Sequence, residues 1–406
     1  MKTGRHLWVV GTFDTKAAEL NYLAGLIREA GVPALTVDIS TRSHDAVADI
    51  PAAEVATYHP EGARHVLGGD DRGRSVMAMG QALCRLVTAC RASDTLLGMV
   101  GIGGSGGTSM IAPALHLLPY GMPKVLVSTL ASGNTAPFVD VHDLVVINPV
   151  TDLAGLNRLS RRILANAAHA AAGMVLHPAP EPPSDARPAL GFTMFGVTTQ
   201  CVQAVTAHLE NAFECQVFHA NGPGGRALEA LARSGMLNAV VDITTTEIGQ
   251  HLAGGVCDAG PDRLAAAAEH GLPWVGSVGA LDMINWGPPD TIPERHAGRL
   301  FHVHNSQVTL MRSTAEELER AGTELARRLN RSTGPVRLLL PLEGISALDA
   351  PGQVFHDPQA DAALFAAIER EFTSNPDHQL IKVPLHINHP AFARLVAQTV
   401  REVIHA

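Results

Sequence analysis

Between residues 101 and 109 the chain reads Gly-Ile-Gly-Gly-Ser-Gly-Gly-Thr-Ser, with five glycines from Gly101 to Gly107. Glycine carries no Cβ, so a ligand can approach such a backbone closely. Where a strand turns into a helix, exposed N–H groups and the helix dipole also attract anions. Gly103, Gly104, Ser105, Gly106, Gly107 and Thr108 are therefore the first candidates to hold a phosphate; a flexible strand–helix turn is the competing reading. The run approaches GxxxxGK[ST] through Gly101 and Gly106, but Gly107 stands where that motif has its lysine. It is not a Walker A loop, and a phosphate-neutralising cation has to come from elsewhere.

One source is Gly11-Thr-Phe-Asp-Thr-Lys16, at the end of the first apolar run. Ligands of open α/β sheets gather beyond the carboxyl ends of strands, so this turn and the glycine run can converge across the intervening sequence. Lys16 could neutralise phosphate, Thr12 and Thr15 could donate hydroxyl hydrogen bonds, and Asp14 could hold magnesium through water. An aspartate N-cap followed by a solvated lysine is the alternative. No GxGxxG follows this strand, and Asp38, ending the next one, suits either a ribose hydroxyl or a turn. A third polar turn, Ser128 to Thr135, offers Ser132, Gly133 and Asn134. Beyond it Arg158 and Arg162 lie four apart on one helix face, placed for phosphate or for solvent.

The second half of the chain has its own polar cluster. Asp242 and Glu247 bracket Ile-Thr-Thr-Thr at a strand end, and His302 and His304 alternate onto one strand face. Asp242, Glu247, His304 and Asn305, joined by Glu343 and His386, could form an acid/base or metal site. A histidine titrates near neutral pH and could shuttle a proton with a carboxylate orienting it. The spacing is not that of HExxH, and mutually satisfied groups beneath a surface are the alternative.

Positioning these residues requires strands that end where the motifs begin. Apolar runs at His6–Val10, Pro33–Asp38, Asp94–Gly101, Lys124–Ser128 and Asp143–Ile147 alternate with helical stretches at Lys16–Ala30, Thr108–Leu117 and Ala154–Met174. The segment Leu176–Pro188 has five prolines and marks a boundary. Alternation then restarts. Strands are expected at Ala189–Phe192, Gln216–Ala220, Ala239–Asp242, Trp274–Val278, Leu300–His304 and Val336–Leu340. Helices are expected at Val202–Asn211, Gly225–Ser234, Thr314–Leu329, Ala360–Phe372 and Pro390–Ile404. The pattern predicts two doubly wound α/β domains with mainly parallel sheets, residues 1–178 and 188–406.

Composition agrees with that architecture. Of 406 residues, 46% are hydrophobic and only 4% aromatic, so burial must come from Ala, Val, Leu and Ile in layers. A net charge of −9 argues against nucleic acid as a partner. Cys84, Cys90, Cys201, Cys215 and Cys257 contain no CxxC pair and suit buried thiols in a reducing compartment. With no signal-like or membrane-length apolar stretch, a cytoplasmic protein without a membrane partner is expected.

These segments also carry a resemblance. GTFDTK, GIGGSGGTS, PKVLVSTLASGNT and LAGLNRLSRRILANAA resemble signature segments of the Tm-1-like ATP-binding proteins, the UPF0261 family. The similarity continues through VDITTTEIG, AGPDRL, GALDMINWG, HNSQVTLMRST, LEGISALD and HIN, covering nearly the whole chain. The resemblance implies two Rossmann-like domains, ATP with magnesium on the N-terminal one, and a homodimer or higher assembly. It also implies either a metabolic enzyme or, as in plant members, an inhibitory protein. Asn134 and His389 depart from the family pattern, both standing where aspartate is usual. The resulting expectation is an ATP/Mg-binding protein acting on a small carboxylated or phosphorylated metabolite in a cleft between the domains. Its alternative is a nucleotide-gated binding protein without turnover.

Overall fold

The computed structural model describes residues 4–69, 71–180, 183 and 186–404. The chain divides into two compact units, Met1–Pro182 and Pro183–Ala406. Of the proline-rich segment, residues 181, 182, 184 and 185 lie outside the described residues.

Short apolar runs build the N-terminal sheet from β1 (His6–Gly11), β2 (Ala34–Asp38), β3 (Leu96–Gly103), β4 (Lys124–Ser128) and β5 (Val145–Ile147). All neighbours pair in parallel, in the order β2-β1-β3-β4-β5. Around the sheet run α1 (Phe13–Glu29), α2 (Ala52–Ala56), α3 (Ala63–Leu67), α4 (Arg72–Ala92), α5 (Ser105–His116), α6 (Ala136–Val139) and α7 (Arg158–Leu176). Because side chains alternate along a strand, each strand feeds two cores. Trp8, Val10, Met99 and Leu126 pack with Met79 and Leu83 of α4 and Ile111 of α5. Leu7, Val9, Val100 and Val125 pack instead with Leu20 of α1 and Leu164 of α7. The strand order reverses between β1 and β3, and it is there that a crevice opens beyond the carboxyl ends.

Several boundaries move for identifiable reasons. Helix α5 starts at Ser105 and not Thr108, so Ser105, Gly106 and Gly107 form its first turn and Gly104 alone connects it to β3. Helix α1 starts at Phe13, with Lys16 at φ −135°, ψ 21° breaking the regular backbone three residues in. Helix α7 starts at Arg158 because Asn157 and Ser160 form a reciprocal capping box.

The C-terminal unit repeats the plan with β6 (Ala189–Met194), α8 (Thr199–Leu209), β7 (Glu214–His219), α9 (Pro223–Arg233), β8 (Ala239–Asp242), α10 (Thr246–Ala253), α11 (Ala265–Glu269) and β9 (Trp274–Gly276). Then come β10 (Met283–Trp286), β11 (Phe301–Asn305), β12 (Val308–Arg312), α12 (Ala315–Leu329), β13 (Val336–Pro341), α13 (Pro358–Glu371), β14 (His378–Val383) and α14 (Pro390–Ile404). Six of these strands pair in parallel in the order β14-β13-β9-β8-β6-β7, which reverses between β6 and β8 just as the first sheet does between β1 and β3. The expected strand Leu300–His304 does not join this sheet. As β11 it belongs to a separate antiparallel sheet, β10-β12-β11, because the tight connection at Ser306 and Gln307 returns the chain directly onto itself. Strand β14 was not anticipated from the apolar pattern; its half-buried, polar-rich sequence HQLIKV suits a sheet edge. No described helix is long and apolar enough to cross a membrane.

Candidate functional site

Beyond the carboxyl ends of β1 and β3 lies a cavity of 250 Å³. Thr12, Asp14, Thr15 and Lys16 reach it from the first turn of α1, and Gly104, Ser105, Gly106 and Gly107 from the start of α5. The two motifs that lie far apart in sequence therefore share one wall. Thr41 and Arg42 after β2, Arg72 and Val76 on α4, and Met110 complete the lining. The motifs named from the sequence do not include these last residues, which the fold brings to the cavity from the segment after β2, from α4 and from the interior of α5.

Three helices point their first turns at this cavity, and their backbone donors differ. In α1, Phe13 N–H donates to Asp38 Oδ1 at 3.1 Å, Asp14 N–H to Ser40 Oγ at 3.0 Å, and Lys16 N–H to the Thr12 carbonyl at 2.9 Å. In α4, Asp71 Oδ1 accepts from Gly73 and Arg74. In α5 the first bonded amide is Thr108, which donates to the Gly104 carbonyl at 2.8 Å. The N–H groups of Ser105, Gly106 and Gly107 have no partner among the described residues, and no side chain caps this helix.

The glycines are of two kinds. A Cβ at Gly103 would meet the Thr108 amide nitrogen at 2.7 Å, and one at Gly101 would meet Ile111 Cγ2 at 2.5 Å, so packing alone demands glycine there. A Cβ at Gly106 would meet nothing within 4 Å, and at Gly107 only the Ile102 carbonyl oxygen at 3.7 Å. Their bareness serves open space and not the fold.

Other predicted residues are placed differently. The Thr108 hydroxyl is buried against Ser128 Oγ at 2.7 Å, tying α5 to β4. Asp38 is buried and organises a turn, accepting from Phe13 and Ser40 through Oδ1 and meeting His44 Nε2 at 2.9 Å through Oδ2. Ser132, Gly133 and Asn134 are exposed, with Asn134 Oδ1 accepting from Ala136 N–H, and Arg158 is exposed at the start of α7. None of these lines the cavity. Lys16 Nζ donates to the Leu153 carbonyl at 2.8 Å, and Glu19 Oε1 accepts from Gly155 N–H at 2.6 Å, so α1 is stitched to the segment before α7.

In the C-terminal unit Asp242 and Glu247 do come together, around Arg263. The guanidinium is 1% exposed and bonds Glu247 at 2.8 Å, Asp242 at 2.8 Å and Glu229 at 3.2 Å. Glu247 Oε1 also accepts from Gly222 and Gly225 N–H at the start of α9, and Glu229 from Leu264 and Ala266 N–H. Burial pushes the Glu229 and Glu247 carboxyls up even against the pull of Arg263, whose own charge the three carboxylates secure. Thr193 Oγ donates to Asp242 Oδ1 at 2.5 Å, while Asp242 Oδ2 is buried without a partner among the described residues. His304 is exposed on β11, and Glu343 is exposed after β13. His386 Nε2 meets the Ser346 carbonyl at 2.9 Å. Asn305 Oδ1 accepts from Gln307 N–H within the hairpin.

A second buried cluster escaped the sequence analysis. Arg312 bonds Asp361 at 3.0 Å and approaches Asp349 at 3.5 Å, while Asp282 Oδ2 accepts from Ser346 Oγ at 2.7 Å. Burial and the neighbouring Asp349 push Asp282 up to about 7, and burial with a hydrogen bond to Asp349 pushes Asp361 up to about 8. An aspartate inside an apolar run, as in Gly279-Ala-Leu-Asp282, was the available signal. Among the described residues no group of three or more His, Cys, Asp or Glu is arranged to hold a metal ion.

Comparison with known proteins covers both units. Residues 5–180 match the "Uncharacterised protein family (UPF0261) N-terminal domain", and residues 187–404 its C-terminal domain. The chain is 51% identical over 393 residues to a UPF0261 protein of Mesorhizobium japonicum, spanning 97% of this chain and 98% of that one. It is 40% identical to a UPF0261 protein of Clostridium tetani, over 96% of each. To the ToMV resistance protein Tm-1(GCR237) of Solanum lycopersicum it is 38% identical, over 98% of this chain but 55% of that protein.

Proposed function

The chain belongs to the UPF0261 family, and from that premise and the cavity beyond β1 and β3 we propose that its N-terminal unit binds ATP with magnesium. The observation that carries this reading is the trio of unpartnered N–H groups at Ser105, Gly106 and Gly107, opening a helix with no side-chain cap, whereas Phe13 and Asp14 in α1 and Gly73 and Arg74 in α4 have side-chain acceptors. Unmet donors at a helix N-terminus favour negative charge. Three cations, Lys16, Arg42 and Arg72, line the same cavity with one carboxylate, Asp14, in a chain of net −9. Magnesium keeps several waters and is commonly held by one or two carboxylates together with substrate phosphates, a role that Asp14 with the Thr12 and Thr15 hydroxyls fits. At 250 Å³ the cavity is below the roughly 300–1,000 Å³ of enclosed small-ligand pockets, so it suits the phosphates, with the nucleoside extending outward past Val76 and Met110.

A binding role without turnover is the second reading. It is favoured by the C-terminal unit, where Asp242 and Glu247 are locked in ion pairs with Arg263. Incubation with ATP and magnesium, followed for ADP release, separates the two.

The test of the site is Gly106→Val. A Cβ at this position would meet nothing within 4 Å, so the variant is expected to keep the fold. Calorimetry should show ATP affinity falling at least tenfold with the melting temperature retained. Unchanged affinity would place the nucleotide elsewhere.

A further inference from the structure

Resting on the nucleotide reading, we infer that the cations which distinguish a triphosphate from a monophosphate are Arg42 and Arg72, and that Lys16 is a positioning residue. Lys16 stands nearest to the motif logic, but its Nζ already donates to the Leu153 carbonyl at 2.8 Å, which anchors the α1 turn to the segment leading into α7. Its backbone also leaves the helical region at the same residue. The two arginines are placed differently. Arg42 follows β2 and Arg72 opens α4, and both line the cavity that the bare start of α5 also lines. Neither makes a hydrogen bond or ion pair among the described residues, whereas Arg74, two residues from Arg72, meets Asp71 at 3.7 Å and Arg28 meets Asp49 at 2.8 Å.

Guanidinium geometry supports the assignment. A guanidinium presents a planar fork of donors that matches phosphate oxygens two at a time, and it is less strongly hydrated than an ammonium. Two such forks facing three backbone N–H groups would surround the distal phosphates. A monophosphate seated on α5 would already use the backbone donors and gain less from the arginines. The ligand class recognised is thus a polyphosphate-bearing nucleotide, selected by charge at its far end.

The experiment compares Arg42→Ala, Arg72→Ala, the double variant and Lys16→Met by calorimetry against ATP, AMP and inorganic tripolyphosphate, each with magnesium. Loss of a charge-assisted contact corresponds to about ten- to a hundredfold in affinity. Each arginine variant should lose ATP and tripolyphosphate by at least about tenfold while AMP changes less than about threefold. Lys16→Met should weaken all nucleotides to a similar degree and lower the melting temperature. Selective loss of ATP in Lys16→Met, with both arginine variants binding like the parent, overturns the inference. Binding of tripolyphosphate but not ATP by the unaltered protein would end the nucleotide reading and leave the arginine assignment standing. Binding of neither would end both.

Discussion

The two units share a strand plan and use the same position in it differently. At the point where strand order reverses, the N-terminal unit follows its third strand with Gly104-Ser-Gly-Gly107, a helix start without bulk that leaves its donors free. The C-terminal unit follows its third sheet strand, β8, with Thr244-Thr-Thr-Glu247. There Glu247 fills the space, capping Gly222 and Gly225 and pairing with Arg263. The chain has thus supplied its own anion and cation in one unit and left the corresponding helix start without a partner in the other. A glycine-rich helix start is a ligand site only when nothing in the fold already occupies it: Gly225, too, is bare, and a Cβ there would strike the Glu247 carboxylate.

The largest expected effect comes from emptying the filled position. Glu247→Ala leaves a buried guanidinium short of a partner and two α9 amides unmet, a change that costs about 3–5 kcal/mol where buried pairs are broken. Urea unfolding should show that loss in the C-terminal unit, and added formate should recover part of it by taking the carboxylate's place. A neutral result would mean that Glu247 is not what holds the position closed.

The two kinds of glycine sharpen the comparison. Gly103→Ala drives a Cβ against the Thr108 amide and should cost about 1–3 kcal/mol as overpacking, whereas Gly106→Ala should leave stability nearly unchanged. Equal effects on thermal unfolding would erase the distinction between glycines that packing demands and glycines that border open space.

Buried carboxyls give the C-terminal unit a pH signature. Asp282 and Asp361 titrate at about 7 and about 8 in the fold, against a usual aspartate value of 3.8, so the native state holds more protons than the unfolded chain between those limits. Their contribution to stability is therefore present in full near pH 4 and is lost as pH rises toward 8, with a slope of about 1.4 kcal/mol per pH unit for each extra proton held. Denaturation at a series of pH values should show Asp361→Asn with a shallower decline than the parent. An identical slope would remove this cluster as its source.

The smallest effect concerns α4. Asp71→Ala frees the Gly73 and Arg74 amides at the edge of the cavity and removes an N-cap worth about 1 kcal/mol. Melting should drop slightly while, on the proposed nucleotide reading, ATP affinity holds or rises, because two more backbone donors become free beside the cavity-lining Arg72. Weaker binding would indicate that Asp71 itself organises the site.

Strand and helix alternation was legible because buried parallel strands are continuous apolar runs. Lys124–Ser128, Ala239–Asp242 and Pro390–Ile404 fall at the expected limits. The glycine run and the Lys16 turn were legible for a related reason, since strand ends are where side chains stop serving the core. Local sequence could not say whether a polar group at a strand end meets solvent, a ligand or another part of the chain. Asp14 and Asp242 read alike, yet one lines a cavity and the other is sealed beside Arg263. Arg42 and Arg72 look like ordinary surface arginines until β2 and α4 carry them to the same crevice. Sequence by itself determined the two doubly wound sheets and the bareness of α5, because periodicity and the missing Cβ are properties of the residues. Tertiary structure alone decided which charges are spent, because occupancy of a donor depends on what the fold brings within about 3 Å of it.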